Sequence, residues 1–408
     1  MLAALRFTDY RRYWTGSFIA NVGFWMQQTA LGWIVYDMTQ SASWLGTIAL
    51  VSNAPTFVVG IVGGAVADRA SRRTIILSAQ LALAACALAL ALLTATGHLT
   101  IWRIITVAVA AGTAAAFSTP AMMAVLPGLV PAEHLLSAIS LNSVQFNLAR
   151  TLGPAVAGLG YGVVGAAGCF AANAAGFVAF ALMLARLPLG RRPEGAAVPL
   201  GRALRDGLRY IRAHPVIGPS LLLAAVVSFF GFPYIILLPA LARDLGLGVA
   251  GLGTLMAAVG TGAVTGGLGL AAVGDLQRKG LIAGATAIAF GAVLASLVLV
   301  DGIRGTALTL AVLGVLQTVC VASLNTAIQL TVHDGMRGRV MSVMTVILFG
   351  LATLGSVVVG FLGDRIGIEP ALATGGVIIV MAAVAVLPRT RAFPGSVERA
   401  VPVRQAGR

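Results

Sequence analysis

Long apolar runs follow one another along almost the whole chain, each separated from the next by a short polar segment. A helix that crosses the hydrocarbon core of a bilayer needs about 20 predominantly apolar residues. The pattern predicts an all-α integral membrane protein with twelve transmembrane helices. They cover residues 13–37, 44–67, 74–95, 99–122, 136–163, 166–188, 215–242, 249–273, 280–300, 304–330, 339–363 and 368–388.

The composition of the chain agrees with a membrane location. Of the 408 residues, 59% are hydrophobic and 10% are charged, whereas a soluble domain carries about 25% charged residues. A soluble fold could not cover so much apolar surface with so few charges. Because the first apolar run is long enough to span, we expect it to remain as the first transmembrane helix and not to be removed as a signal peptide.

Basic residues are distributed unequally among the segments that connect the predicted helices. If both termini are cytoplasmic, 22 Lys and Arg residues lie on the inner side, and Arg103, Arg243, Arg304 and Arg365 lie on the outer side. Positively charged loops remain in the cytoplasm, so we predict this orientation. The net charge of +14 is spread over helix ends, which argues against a nucleic-acid-binding patch.

The longest connection divides the chain into two predicted bundles of six helices. Residues 1–188 form the first bundle and residues 215–388 the second, while 389–408 form a cytoplasmic tail. The connection, 189–214, contains an amphipathic segment with Leu204, Leu208 and Ile211 on one face. We predict a short helix on the inner membrane surface there. The alternative is a regulatory or partner-binding site.

A charged loop between the second and third predicted helices returns in weaker form in the second half of the chain. The first copy contains Gly64, Asp68, Arg69, Arg72 and Arg73. A shift of 207 places Asp68 on Asp275 and residues 45–47 on 252–254. A shift of 202 pairs the fifth predicted helix with the eleventh. Six helices is an even number, so both copies have the same orientation, as in transporters built from parallel repeats.

Several segments give the chain a resemblance to the major facilitator superfamily of twelve-helix transporters. The segments are 23–28, 33–42, 147–154 and 207–210, together with the charged loop around Asp68. Within the superfamily, the chain resembles the branch that contains the bacterial enterobactin exporter and related drug and macrolide efflux proteins. The resemblance covers nearly the whole chain. It implies small-molecule transport by alternating access in the bacterial inner membrane, by a protein that works as a monomer.

The resemblance also implies a role for the charged loop. In the family, its carboxylate pairs with basic groups and a neighbouring helix end and holds the two halves together on the cytoplasmic side. The loop would act as a latch that opens and closes during transport, while Gly64 lets helices approach closely. The alternative is that its arginines only fix the orientation. Ser71 departs from the glycine that is usual in the family, and Ala271 makes the second latch, at Asp275, weaker.

Polar and aromatic residues inside the predicted helices are the candidates for substrate binding, because lipid leaves amides and charges unsatisfied. They are Asn21, Trp25, Gln28, Asn142, Phe146, Arg150, Phe230, Tyr234, Gln317 and Asn325. Arg150 lies about mid-membrane and could bind an anionic substrate. The alternative is that Arg150 pairs with helix carbonyls or a neighbouring helix. The amides of the first predicted helix could equally join helices, and the aromatics of the seventh could face lipid or the core.

The fifth predicted helix contains two residues, a glycine and a proline, that favour a bend. Gly153 and Pro154 partly resemble the antiporter motif of this helix, and proline favours a bend. We expect them to bend the helix and pack against the eighth.

The positions of the acidic residues bear on energy coupling. No carboxylate is placed at mid-membrane. Asp37 is the candidate proton site, because burial in a closed outer gate would favour its protonated form. A cap or turn role for Asp37 is equally compatible with the sequence.

The leading functional hypothesis is a proton-driven exporter of small amphipathic molecules. A facilitator, an uptake or lipid transporter of the same fold, and a non-transporting sensor are the alternatives. We expect no enzyme, metal site or cofactor, because the four histidines are scattered and neither HExxH nor GxSxG occurs. No GxxxxGK[ST] loop is present, so ATP is not the expected energy source. Cys86, Cys169 and Cys320 lie in separate apolar runs and are expected to be core residues.

Overall fold

The structure is a computed structural model that describes residues 2–67, 71–123, 125–187, 200–273 and 279–390. All regular structure in these ranges is helical, and they contain no strand. The all-α fold class predicted from the apolar runs is confirmed.

Five long helices make up the first half of the chain. They are α1 (Thr8–Thr39), α2 (Ala42–Ala67), α3 (Arg72–Ala95), α4 (Ile101–Met123) and α5 (Leu135–Leu184). Short 3-10 turns occur at Leu2–Arg6, Leu126–Gly128 and Ala132–His134. The fifth and sixth predicted helices both fall within α5. They are separated at Gly165, whose φ of 64° and ψ of −175° interrupt the helix in a conformation that favours glycine.

The second half of the chain contains more and shorter helices. They are α6 (Leu200–Ala213), α7 (Ile217–Val226), α8 (Pro233–Ile236), α9 (Leu238–Asp244), α10 (Val249–Val273), α11 (Lys279–Ala295), α12 (Gly302–Thr331), α13 (Asp334–Thr345), α14 (Ala352–Ile366) and α15 (Ile368–Thr390). The helix α6 contains the segment that the sequence predicts to be amphipathic. It packs against α13, where the Tyr210 hydroxyl accepts a hydrogen bond from the His333 nitrogen at 3.4 Å.

Two π-helical turns interrupt the helices of the second half. One is Val227–Gly231, directly before α8, and the other is Val346–Leu351, directly before α14. The two turns contact each other. The first lies where Gly231 and Pro233 predict a bend in the seventh apolar run. Single π-helical turns occur often at functional sites.

Nine stretches of the described residues are long and apolar enough to cross a membrane. One of them, Ala132–Leu184, holds both the fifth and the sixth predicted helices. The helices α1 and α2 are not among the nine. In α1, the amides of Asn21, Gln27 and Gln28 lower the mean hydropathy. The count of twelve, the division into two six-helix bundles and the cytoplasmic placement of the termini therefore stay predictions.

The most extensive contacts between the two halves of the chain, within the described residues, are those of α2 with α14 and of α5 with α10. Both pairs approach closely at glycines. A Cβ on Gly46 of α2 would lie 2.4 Å from the Ser356 carbonyl oxygen of α14, and one on Gly253 of α10 would lie 2.6 Å from the Pro154 carbonyl oxygen of α5. Small residues allow helix backbones to pack at such distances. The packing of the fifth predicted helix against the eighth is therefore confirmed.

Candidate functional site

The larger of two cavities described here lies in the first half of the chain and has a volume of about 600 Å³. Residues of α1, α3, α4 and α5 form its walls. Its polar lining consists of Ser17, Asn21, Gln80, Ser118, Thr119, Asn142 and Gln145, and its aromatic lining of Tyr13, Phe24, Phe146, Phe177 and Phe180. We call it the N-half cavity. Three of the predicted substrate residues, Asn21, Asn142 and Phe146, line it.

A shared hydroxyl organises one wall of the N-half cavity. The Ser17 Oγ atom accepts hydrogen bonds from the Asn21 Nδ2 atom and from the Gln145 Nε2 atom, each at 3.2 Å. Gln145 belongs to α5 and is buried, while Ser17 and Asn21 belong to α1. The cluster joins two helices and also leaves Asn21 at the cavity surface. The Asn21 amide therefore lines the cavity, while the bond that joins the two helices is made by Gln145 and Ser17.

The opposite wall contains two residues that the sequence reasoning missed. Gln80 of α3 donates a hydrogen bond from Nε2 to the Ser118 Oγ atom of α4 at 3.4 Å. Both side chains are 5% exposed. The Gln80 Oε1 atom has no hydrogen-bond partner among the described residues. The same signal that selected Asn21, an amide inside an apolar run, could have selected Gln80.

A smaller cavity of about 120 Å³ lies between the two halves of the chain. Trp25 and Gln28 of α1, both predicted to contact substrate, line it together with residues of α2, α8, α9 and α10. The Trp25 ring packs edge to face against Phe146, with 6.0 Å between the ring centroids. Because Phe146 lines the N-half cavity, this aromatic pair separates the two cavities.

Three of the predicted residues meet across the two halves. The guanidinium of Arg150 on α5 is half-buried and lies near the Tyr234 side chain on α8. It forms no hydrogen bond or ion pair within the described ranges. Tyr234 donates a hydrogen bond to the Gln317 Oε1 atom on α12 at 3.2 Å. Tyr234 and Gln317 are both buried. Arg150 therefore lies beside a polar pair of the second half without an anionic partner.

The last two predicted substrate residues, Phe230 and Asn325, line neither cavity. Phe230 lies in the first π-helical turn and packs against Phe229, with 4.8 Å between the ring centroids. Asn325 accepts a hydrogen bond from Gln329 of the same helix at 2.9 Å. The structure therefore divides the predicted substrate residues among separate locations.

Polar contacts join the two halves at one end of the bundle. The Asp37 carboxylate of α1 forms an ion pair with Arg243 of α9 at 3.2 Å, and the Arg243 guanidinium lies over the Trp33 ring, 5.5 Å from its centroid. Nearby, the Asp364 carboxylate of α14 accepts a hydrogen bond from the Ala42 nitrogen of α2 at 2.6 Å. We call these contacts the polar gate.

The exposure of Asp37 bears on its candidate role as a proton site. The sequence argument made that role depend on burial in a closed outer gate, whereas in this structure the Asp37 side chain is 53% exposed. Asp37 is the last acidic residue of α1, close to the connection to α2, so solvent reaches it from the end of the bundle. Water therefore screens its ion pair with Arg243.

The predicted latch belongs to the opposite end of the helices, and most of it lies outside the described residues. This holds for Asp68, Arg69 and Asp275. Gly64 lies in α2 and Arg72 is the first residue of α3, but the contacts of these two residues lie outside the described part of the structure. The Arg73 guanidinium donates a hydrogen bond to the carbonyl oxygen of Ala185 just after α5, so it joins two elements of the same half.

The bend residues of α5 contact different neighbours. A Cβ on Gly153 would lie 2.4 Å from the Trp25 Cβ atom of α1, so Gly153 allows α5 to pack against α1. The carbonyl oxygen of Pro154 faces Gly253 of α10. Pro154 therefore belongs to the contact between the halves, and Gly153 positions Trp25 between the two cavities.

Apolar helices that surround polar-lined cavities, with polar contacts at one end of the bundle, are typical of membrane transporters. The family of transmembrane secretion effectors, part of the major facilitator superfamily, matches residues 1–400. The chain belongs to this family. The resemblance derived from the sequence is confirmed.

Relatives and solved structures agree with this assignment. Macrolide efflux protein A of Streptococcus pyogenes is 26% identical over 378 residues, which are 91% of this chain and 93% of the relative. Enterobactin exporter EntS of Escherichia coli is 28% identical over 274 residues, which are 67% and 65% of the two chains. A bacterial homologue of the human lysosomal transporter Spinster, inward-facing and occupied, matches with a TM-score of 0.76 at 15% identity, covering 94% and 96% of the chains. This last likeness concerns the fold alone.

Proposed function

We propose that the protein exports small amphipathic molecules across the bacterial inner membrane by alternating access, as a monomer coupled to proton entry. The efflux proteins among its relatives support the direction of transport. A cavity that combines amide groups with aromatic rings suits molecules that have both polar and apolar parts.

The observation that carries the proposal is the closure of the bundle at one end. Asp37 with Arg243, and Asp364 with Ala42, hold the two halves together there. In the predicted orientation this end is periplasmic, so the structure corresponds to a state that is closed toward the outside. Export requires the polar gate to open, because substrate must leave on that side. A few hydrogen bonds and an ion pair can be present in one conformation of the protein and absent in another.

In this proposal, each group of predicted residues has a different role. Asn21, Asn142 and Phe146 contact the substrate in the N-half cavity, while Trp25 and Gln28 contact it between the halves. Arg150, beside Tyr234 and Gln317, receives the anionic part of substrates that have one. A guanidinium that lies beside a polar pair, and has no ion-pair partner among the described residues, is suited to an anion. Phe230 and Asn325 are proposed to contact substrate when the halves rearrange.

Proton coupling is assigned to Asp37. Protonation removes the charge of Asp37 and with it the attraction to Arg243, so the polar gate opens more readily when a proton binds from outside. The latch around Asp68 and Asp275 is proposed to close the opposite end in the next step of the cycle, with Gly64, Arg69, Arg72 and Arg73 as its other parts.

A second candidate is an uncoupled facilitator of the same fold. One observation favours it: among the described residues, no aspartate or glutamate lines either cavity. A facilitator needs no group that alternates between proton and substrate, and it moves solute down its gradient in either direction. The experiment below separates the two candidates.

The test uses inside-out membrane vesicles in which respiration has acidified the interior. Substrate-dependent proton release is followed by a pH-sensitive dye while catecholate siderophores, macrolides and lipophilic dyes are added in turn. We expect wild-type vesicles to release protons with at least one compound, and Asp37→Asn vesicles to lose the release. The matched control is Asp9→Asn, because Asp9 also forms an exposed ion pair, with Arg12 at 3.6 Å, far from the polar gate. Solute movement without proton release would support the facilitator, and no movement of any compound would contradict both.

A further inference from the structure

We propose that the N-half cavity is a binding site for uncharged, ring-containing molecules that donate a hydrogen bond to the Oε1 atom of Gln80. The inference deepens the proposed export function, on which its biological role rests, by naming a class of substrate. It also differs from the proposal for Arg150, which concerns anions at another location.

The described wall of the N-half cavity contains no group that is charged at neutral pH. Among the described residues that line it, none is Asp, Glu, Lys, Arg or His. A charged ligand group would therefore lose its hydration without gaining a counterion, which is strongly unfavourable in a semi-enclosed site. Polar but neutral groups line the cavity instead, and they can exchange hydrogen bonds with hydroxyl, amide and carbonyl groups of a ligand. The chemistry of the wall selects for the absence of net charge.

One acceptor in this wall lacks a partner. The Gln80 side chain is 5% exposed, and its Nε2 atom is occupied by Ser118. Its Oε1 atom is buried and accepts no hydrogen bond from any described residue. Buried polar atoms are almost always paired in folded proteins. Gln80 and Ser118 both line the cavity, and a rotation of the Gln80 side chain would turn the buried Oε1 atom toward the cavity. A ligand hydroxyl or N–H group would then complete the pairing.

The rest of the wall is suited to rings. Phe24 and Phe146 lie on one side, and Phe177 and Phe180 belong to the last part of α5. Aromatic side chains offer large, rigid apolar contacts. Met123, also in the lining, is 74% exposed, and an unbranched thioether adapts its shape to different ligands. A volume of about 600 Å³ accommodates a molecule of several fused rings.

The site is separate from Arg150. Arg150 does not line the N-half cavity, and the packed pair of Trp25 and Phe146 lies at the boundary between this cavity and the smaller one. A ligand that lies wholly within the N-half cavity therefore has no need of the guanidinium. Binding of a neutral ligand should be indifferent to Arg150→Ala, while binding of an anion at the other location should depend on it.

The test measures equilibrium binding of three tritiated steroids to the purified full-length protein in detergent. Estradiol is uncharged and donates hydrogen bonds, its dimethyl ether has the same rings without donors, and estradiol 3-sulfate carries a negative charge. We expect wild-type protein to bind estradiol about tenfold more tightly than the ether, the factor expected for one well-placed hydrogen bond. We expect it to bind the sulfate more weakly still.

Two variants locate the effect. Gln80→Met removes the acceptor at nearly constant volume, so the preference for estradiol over the ether should fall to about twofold or less, while the affinity for the ether is kept. Gln329→Met is the matched control, because Gln329 is also an amide inside a helix and lines neither cavity. It should keep the wild-type preference. Ala115→Trp fills the cavity and should abolish binding of all three steroids.

Equal affinity of wild-type protein for estradiol and its ether would overturn the proposal, even if Gln80→Met failed to fold. Tight binding of the sulfate would overturn it as well. The outcome is separable from that of the export proposal. Selective binding without export in vesicles would leave this site in place and remove the export function. Export without any preference for estradiol would remove the site and leave the export function.

Discussion

The Asp364 carboxylate caps the first turn of a helix that lies 322 positions earlier in the chain. It accepts a hydrogen bond from the Ala42 nitrogen at 2.6 Å, and its other oxygen accepts from the Ser43 nitrogen and the Ser41 hydroxyl at 3.2 and 2.7 Å. The first nitrogens of a helix have no intrahelical acceptor, and the helix dipole favours a negative charge beside them. The end of α14 therefore supplies the cap of α2 only while the polar gate is closed.

Asp364→Ala should shift the protein toward the state in which the polar gate is open. Loss of a cap costs about 0.5–2 kcal/mol, which corresponds to an increase of roughly 2- to 30-fold in the ratio of open to closed molecules. The measurement is the rate at which a thiol reagent modifies Leu45→Cys, a position of α2 that is buried in the gate, in a background without the native cysteines.

Glu369→Ala is the control for this experiment, because Glu369 is a carboxylate at the same end of the bundle that does not cap α2. It should leave the modification rate within twofold of the parent. An unchanged rate in Asp364→Ala would show that this cap does not hold the gate closed.

The contact between α5 and α10 should tolerate no side chain at Gly253. A Cβ there would meet the Pro154 carbonyl oxygen at 2.6 Å, so Gly253→Ala must separate the helices and should cost about 1–3 kcal/mol. The readout is the thermal midpoint of the purified protein, followed by size-exclusion chromatography after heating.

Gly269→Ala provides the matched comparison on the same helix. A Cβ on Gly269 would have no neighbour within 4 Å, and alanine favours the helix over glycine, so the midpoint should stay the same or rise. Equal midpoints for the two variants would mean that α5 and α10 do not pack as described.

Tyr234→Phe should weaken transport of anionic substrates more than that of neutral ones. The substitution keeps the buried ring and removes the hydroxyl that donates a hydrogen bond to Gln317. The same hydroxyl lies near Arg150. Loss of such a hydrogen bond costs about 1 kcal/mol, so the KM for an anion should rise by about fivefold.

The control for this prediction uses the same vesicles, which are assayed once with a neutral and once with an anionic member of one compound series. The KM values of the two compounds are then compared. The neutral member should keep its KM within twofold. An equal change for both members would assign Tyr234 a structural role only.

The sequence predicted the fold well wherever a continuous run of residues lies in a single kind of environment, such as the apolar interior of a bilayer. The apolar runs predicted the all-α membrane fold, and the charged loop together with segments such as 23–28 and 147–154 gave the resemblance to the superfamily. The break at Gly165 and the π-helical turn before Pro233 also fall where glycine and proline are expected to interrupt a helix.

The candidate site was predicted less completely, because it depends on which helices meet. The polarity of Asn21 and Gln28 showed that both avoid lipid, but Asn21 lines the N-half cavity and Gln28 the smaller one. Gln80 was missed although its polarity gives the same signal. The exposure of Asp37 also depends on its position at the end of α1, and the sequence gives no direct measure of how far water reaches along a helix.

The most direct test of the account is the distance between two spin labels at the polar gate, on Gln40→Cys and Arg365→Cys, in a background without the native cysteines. Both positions are exposed, and they belong to different halves of the chain. Double electron–electron resonance would be recorded in nanodiscs at neutral and acidic pH, with and without a transported compound. Alternating access predicts a short distance that is partly replaced by a longer one when compound or protons are added. A single short distance under all conditions, in labelled protein that still transports, would contradict it.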